Sequence, residues 1–109
     1  MMRRAVLAPN AGGDVDQIAE RIAQDSLDGA LNFLDAIAAA SGLLAANPLA
    51  GRVVEPAFAT LPGLRVWGLA GFRTFLLFYL PVESGVRIIR VLHGAQNVRL
   101  ILGDERPDE

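Results

Sequence analysis

Three extended segments in the second half of the chain decide the fold. They read LRVWGL (64–69), FRTFLLFYL (72–80) and VRIIRVL (86–92). Two short turn sequences, AG (70–71) and PVESG (81–85), separate them, which is typical of consecutive hairpins. The middle segment is apolar at positions of both parities, so we expect a central strand that is covered on both faces. This half of the chain is therefore predicted to form a small antiparallel sheet.

The first half of the chain carries helical periodicity. After a short β-leaning segment (3–7), an amphipathic helix is predicted over 14–26, with Asp14 as its N-cap. A second helix, rich in Ala and Leu, is predicted to begin near residue 28. It stops before Pro48, because the residue preceding a proline avoids the α region. The short connection between the two helices predicts an antiparallel helical hairpin.

Together these elements predict an α+β fold in the order β-α-α-β-β-β. An N-terminal strand precedes the helical hairpin, which packs on one face of the antiparallel sheet. Residues 52–58 are predicted to be a broken edge strand or loop, and residues 96–102 a short C-terminal helix or turn. Residues 1–103 are expected to form one domain, followed by a flexible acidic tail at 104–109.

The composition excludes several classes of protein. The chain has 109 residues, of which 52% are hydrophobic, with no cysteine and one histidine. This apolar fraction excludes a disordered chain, and the missing cysteines exclude a disulfide scaffold, a thiolate zinc site and a cysteine nucleophile. A single histidine excludes a multi-histidine metal site, and no cofactor is expected. The longest apolar run is too short to span a bilayer, so no membrane partner is expected and the cytoplasm is the predicted location.

The net charge of −2 hides an uneven distribution along the chain. Residues 1–51 carry three arginines against six carboxylates, whereas residues 52–103 carry six arginines against two. Such asymmetry favours an anionic partner for the basic half. An ordinary solvated surface explains the same count, and the composition leaves both interpretations open.

The spacing of the predicted hairpin places the only histidine beside an arginine. If residues 81–85 form a symmetric loop, Tyr79 faces Arg87 and Arg73 faces His93. One face of the hairpin then carries Arg73, Phe75, Leu77, Tyr79, Arg87, Ile89, Val91 and His93. Arg73 would supply fixed charge, and His93 a proton donor or acceptor, for a phosphate or for a partner's carboxylate. In the structural alternative, His93 caps the strand end and Arg73 pairs with a nearby glutamate.

Several stretches share their order and spacing with one known family. They are LAP (7–9), DVDQI (14–18), ALNFLDAI (30–37), LAANPLAGR (44–52), LPGLR (61–65), FR (72–73), FY (78–79) and RVLHGA (90–95). Over about residues 3–102 the chain resembles the RelE/ParE superfamily of bacterial type II toxins, and the ParE branch most. The pairing of Asn-Pro-x-x-Gly-Arg with a later Arg-Val-Leu-His-Gly-Ala is the most specific part of the resemblance.

The resemblance implies a RelE/ParE-like toxin domain held inactive by an antitoxin that is encoded beside it. ParE-like members poison DNA gyrase and block replication, with growth inhibition and plasmid stabilisation as the associated effects. RelE-like members cleave mRNA in the ribosome, using basic residues and often a tyrosine or histidine. The implied partner is a ParD-like or other ribbon-helix-helix antitoxin in a toxin–antitoxin hetero-oligomer.

Carried over residue by residue, the resemblance places Arg73 at the arginine that RelE-like nucleases keep on the central strand. His93 lies close to the catalytic histidine of some of them. Gln96 stands at the next basic position, and the usual late tyrosine is absent near Leu100. Because RNA cleavage needs both charge stabilisation and a proton shuttle, the sequence favours gyrase inhibition over ribosome-dependent cleavage by Arg73 and His93. A degenerate, non-toxic antitoxin-binding module is the third alternative.

The predicted contacts with the target or antitoxin lie on the basic half. They are Arg52, Arg65, Arg73, Tyr79, Arg87, Arg90, His93 and Arg99. We expect acidic antitoxin residues to meet some of these arginines, while the helical hairpin and the exposed sheet face offer a groove for an amphipathic helix and an extended segment.

Overall fold

The computed structural model describes residues 3–107, which form five strands and three helices. In chain order they are β1 (Arg4–Leu7), α1 (Pro9–Asp25), α2 (Leu27–Ala46), β2 (Arg52–Val53), β3 (Arg65–Leu69), β4 (Phe72–Val82), β5 (Gly85–His93) and α3 (Val98–Gly103). The predicted fold class is confirmed, with an N-terminal strand, a helical hairpin, a strand meander and a short C-terminal helix. Residues 1, 2, 108 and 109 of the predicted domain and tail lie outside the described residues.

The strands form one sheet in the order β1-β5-β4-β3-β2. The meander from β2 to β5 is antiparallel, whereas β1 pairs in parallel with β5 at one edge. The sheet is therefore mixed rather than purely antiparallel, because the chain crosses the sheet through the helical hairpin before it returns as the meander.

The helices begin and end at identifiable local signals. Helix α1 begins at Pro9, five residues before the predicted start. Proline suits the first helical position, because the N–H that it lacks would have no partner inside the helix. The Oγ of Ser26 caps α2 by accepting a hydrogen bond from the backbone N–H of Gly29 at 2.9 Å. Asp14 lies inside α1, so its prediction as the N-cap is wrong.

Two hydrophobic cores lie on the two faces of the sheet. The helical hairpin covers the first, whose largest members include Phe33, Leu77 and Tyr79. The loop before β3 and helix α3 cover the second, where Phe78 and Leu102 pack. Alternate residues of β4 enter the two cores, which confirms the prediction of a central strand covered on both faces.

Helix α2 is unusually apolar for a helix at the surface of a sheet. Within residues 3–107 it alone is long and apolar enough to cross a membrane by length and composition, with a mean hydropathy of 1.5. Core helices pass the same test, and α2 buries Phe33, Ile37 and Leu44 against the sheet. Leu27, Leu31 and Leu34 remain exposed.

The register of the β4–β5 hairpin differs from the predicted one. The strands pair as far as Val82 and Gly85, which leaves a two-residue turn instead of a five-residue loop. A bulge between Phe78 and Tyr79 then shifts the pairing, so that Phe75, not Arg73, stands opposite His93. The predicted pairing of Arg73 with His93 is therefore wrong.

The shorter turn and the bulge together divide the residues that were expected to share one face. Leu77, Tyr79 and Val91 do pack in the core beneath the helices, with Phe75 against them. Ile89 packs in the core on the opposite face. Arg87 lies between Val86 and Ile88, both under the helices, so its side chain leaves from the other face as well.

The segment predicted as a flexible acidic tail contains a packed residue. Glu105 is only 3% exposed and accepts hydrogen bonds from the Nη1 of Arg90 at 2.8 Å and the Nδ2 of Asn10 at 3.0 Å. The chain is therefore held in place at least to residue 105, because burying a carboxylate is costly unless it is paired and hydrogen-bonded.

Candidate functional site

Tyr79 holds the loop that follows α2. Its side chain is fully buried, and its hydroxyl donates to the Pro48 carbonyl and accepts from the Gly51 N–H, both at 2.8 Å. A Cβ at Gly51 would lie 2.6 Å from the Tyr79 Oη, so only glycine fits. The NPxxGR and FY motifs thus pack against each other. The structure places Tyr79 in the core rather than on a binding surface.

Arg65 supports the same loop from the neighbouring strand. Its Nη1 donates to the carbonyl oxygens of Gly51 at 2.6 Å and Leu49 at 3.2 Å. Because its guanidinium is bonded to these two carbonyls, Arg65 stabilises the conformation of this loop. Arg52, which follows the loop on the edge strand β2, is exposed.

Arg90 lies at the centre of an ion-pair network that joins α1, β5 and the C-terminal segment. Its Nε and Nη2 bind the two carboxylate oxygens of Asp14 at 2.7 Å, and its Nη1 binds Glu105 at 2.8 Å. Asp14 also accepts from the Val91 backbone N–H at 2.9 Å. Hydrogen bonding to Asp14, more than that to Glu105, raises the pKa of Arg90 above its ordinary value. The Arg90 guanidinium is therefore engaged in contacts within the fold.

The remaining predicted arginines differ in what they contact. The guanidinium of Arg99 lies over the Phe58 ring, 4.1 Å from its centroid, as a cation–π pair. Arg87 is half-buried, and among the described residues its buried Nε has no hydrogen-bond partner. Arg73 is exposed and, within residues 3–107, forms no ion pair or side-chain hydrogen bond. Arg52, Arg73 and Arg99 are thus exposed and form no ion pair within the described chain, and Arg99 packs its guanidinium on an aromatic ring.

His93 lies at the wall of a cleft between α1 and the end of β5. Its ring meets Phe75 edge-on, with the centroids 5.2 Å apart, and its Nδ1 accepts from the Ala95 N–H at 3.0 Å. The backbone N–H of His93 donates to the Gln96 Oε1 at 2.7 Å. The expectation that His93 caps the strand end thus describes its contacts better than the pairing with Arg73 does.

The cleft has a volume of about 580 Å³ and draws its residues from α1, β4, β5 and the loop that follows β5. Its lining consists of Asp14, Gln17, Ile18, Arg21, Ile22, Phe75, Val91, His93, Ala95 and Gln96. Arg21 was not among the predicted site residues. Asp14, Gln17 and Arg21 follow an i, i+3, i+7 spacing, which places them on one face of α1. This spacing is the sequence signal that could have revealed Arg21.

A second, more open groove of about 410 Å³ lies between the outer faces of α1 and α2. Its floor is apolar, with alanines of both helices beside Leu27, Leu31 and Leu34. Asp16 and Glu20 stand at its rim. The sequence predicted a groove on the helical hairpin and the exposed sheet face, whereas this one is lined by residues of α1 and α2.

Similarity to known proteins covers most of the chain. Residues 5–98 match the family model described as ParE toxin of type II toxin–antitoxin system, parDE. Among curated proteins, none matches this chain. The matched region includes both helices of the hairpin, all of the meander and the His93 cleft.

Proposed function

The chain belongs to the ParE toxin family of type II toxin–antitoxin systems, and from this premise we propose that it inhibits DNA gyrase and is neutralised by a cognate antitoxin. The observation that carries the choice of target is the hairpin register. It separates Arg73 from His93, the two groups that an RNA-cleaving member would need together.

The other groups suited to RNA cleavage are engaged within the fold. In-line attack on a phosphodiester needs a cation near the developing charge and a group that transfers a proton. Tyr79 is buried and bonded to Pro48 and Gly51, and Arg90 is paired with two carboxylates. Because these side chains are bonded within the fold, a toxin that acts by binding is favoured over one that cuts RNA.

The exposed arginines provide a surface for an acidic target. Arg52 and Arg73 both lie on strands of the sheet and face solvent. Arginines are suited to planar, bidentate contacts with carboxylates on a partner protein. We assign these two side chains to contact with gyrase in the cytoplasm.

The antitoxin is assigned to the groove between the helices. Leu27, Leu31 and Leu34 are 67%, 50% and 40% exposed, which is a large apolar surface for a helix of this length. An amphipathic antitoxin helix would bury these leucines, and basic residues at its flanks would meet Asp16 and Glu20. The toxin and antitoxin would thus form a hetero-oligomer through a surface different from that of gyrase.

The proposal is tested by supercoiling assays with purified gyrase and the full chain. We expect inhibition, its relief by the antitoxin encoded beside the toxin gene, and a loss of about tenfold in potency for Arg73→Glu. Arg3→Glu, the same charge change at an exposed site off the meander, is the matched control. Cleavage of mRNA on ribosomes without an effect on gyrase would favour the RelE-like alternative. Normal growth during expression without antitoxin would favour a degenerate module.

A further inference from the structure

Most side-chain hydrogen-bond acceptors of the cleft beside His93 are already bonded within the protein. Both carboxylate oxygens of Asp14 bind Arg90, and one of them also binds the Val91 N–H. The Oε1 of Gln96 accepts from the His93 N–H, and the Nδ1 of His93 accepts from the Ala95 N–H. Among the side-chain acceptors of the lining, the exposed Gln17 amide oxygen is the one without such a bond in the described chain.

The donors of the same cleft are free. Because the His93 Nδ1 is an acceptor, the Nε2 carries the proton in the neutral ring and is a donor. The Gln96 amide nitrogen and the Arg21 guanidinium add further donors. In the part of the chain that the structure describes, none of these three groups donates to a protein atom. Such an excess of donors matches an acceptor-rich ligand.

An unpaired charge in the cleft also favours an anion. Asp14, the one carboxylate in the lining, forms a bidentate pair with Arg90, which also binds Glu105. Arg21 has no such counter-charge among residues 3–107. The unpaired Arg21 guanidinium, rather than the net charge around the cleft, is thus the group that attracts an anion.

The rest of the lining is apolar and limits the kind of molecule that fits. Ile18, Ile22, Phe75 and Val91 contribute hydrocarbon surface next to the donors. A volume of about 580 Å³ lies within the range of small-molecule sites. The ligand would need a compact apolar or aromatic body as well as its charged group.

We propose that this cleft binds a small organic oxyanion, a carboxylate or phosphate carried on an aromatic or similarly compact apolar group. Arg21 and the Nε2 of His93 contact the anion, the Gln96 amide adds a hydrogen bond, and the body packs on Phe75 and Ile18. The site is separate from Arg52, Arg73 and the helical groove, so its existence does not depend on gyrase inhibition.

The proposal is tested by NMR titration of the full-length chain labelled with ¹⁵N. The probes are benzoate, phenyl phosphate, inorganic phosphate and benzamide, a neutral molecule of the same shape as benzoate. We expect saturable shifts at the amides of 93–96 and at the Arg21 side chain for benzoate or phenyl phosphate, with Kd in the millimolar range for ligands of this size. Benzamide should bind about tenfold more weakly, because the donors and Arg21 would lose their anionic partner.

The relative affinity for benzoate and phenyl phosphate identifies which oxyanion the cleft prefers. Arg21→Gln should weaken the tighter of the two by about tenfold, whereas Arg3→Gln, the same charge change outside the cleft, should leave it unchanged. Both arginines are exposed, so both variants are expected to keep the melting temperature of the parent chain. Equal binding of benzamide, an equal loss for Arg3→Gln, or no saturation up to about 20 mM would each overturn the proposal. No gyrase or antitoxin enters this assay, so its result is independent of the proposed function.

Discussion

Replacing Asp14 by alanine tests the network that joins α1 to the sheet. The substitution removes two hydrogen bonds of 2.7 Å to Arg90 and one of 2.9 Å to the Val91 N–H. Removing one partner of a buried ion pair costs about 3–5 kcal/mol, because the other charge is left uncompensated. Arg90 keeps Glu105 and its side chain is 19% exposed, so we expect the lower end, about 3 kcal/mol.

The assay is equilibrium unfolding in urea, followed by circular dichroism, with thermal unfolding alongside. A loss of about 3 kcal/mol lowers the melting temperature of a domain of this size by roughly 12 °C. Asp16→Ala is the matched control, since Asp16 is the same residue on the same helix and is exposed. It should change stability by less than about 0.5 kcal/mol. If the two alanine variants lose equal stability, Asp14 does not hold α1 to β5 and the reasoning fails.

Three further predictions concern the loop after α2, the start of α2 and the groove. Gly51→Ala places a Cβ 2.6 Å from the Tyr79 Oη, so it should lower the free energy of unfolding by about 2 kcal/mol in urea. This loss should be smaller in a Tyr79→Phe background, where the clashing oxygen is absent. An unchanged loss would exclude this clash as the cause. Ser26→Ala removes the cap of α2 and should cost about 1 kcal/mol, whereas Ser26→Thr should retain most of the stability; equal losses would contradict the capping role. Leu31→Glu should weaken antitoxin binding at least about tenfold in calorimetry, while Asn32→Glu, an exposed neighbour outside the groove lining, should leave it unchanged; equal effects would remove the groove as the antitoxin site.

Much of the fold follows from local patterns in the sequence. The stop at Pro48, the change from helical to extended periodicity and the apolar middle strand each depend on residues close together in the chain. The structure confirms all three within a few residues. The antiparallel pairing of β3, β4 and β5 follows from the short turns between them, which local residues also determine.

The errors arise where a partner lies far away along the chain. Asp14 followed by Gln17 fits the local pattern of a helix cap, but the carboxylate binds Arg90, 76 positions later. Nothing local to residues 104–109 indicates that Glu105 binds Arg90 and Asn10. Such contacts arise only when the tertiary fold brings the elements together, so propensity cannot reveal them.

The candidate site was the part least accessible from the sequence. The two-residue turn and a bulge between Phe78 and Tyr79 together move the partner of His93 from Arg73 to Phe75, and the bulge leaves no sequence signal of its own here. Arg21 joins His93 through helix packing, which strand register cannot predict. The site therefore changed from a hairpin pair to a cleft between α1 and β5.

The most direct test of the central claim gives one preparation of the chain to two targets. Relaxed plasmid with gyrase and ATP measures supercoiling, and a translating ribosome with a defined mRNA measures cleavage, at equal toxin concentrations. A gyrase inhibitor should block supercoiling, which the cognate antitoxin restores, and should leave the mRNA intact. Cleaved mRNA with normal supercoiling would contradict this prediction.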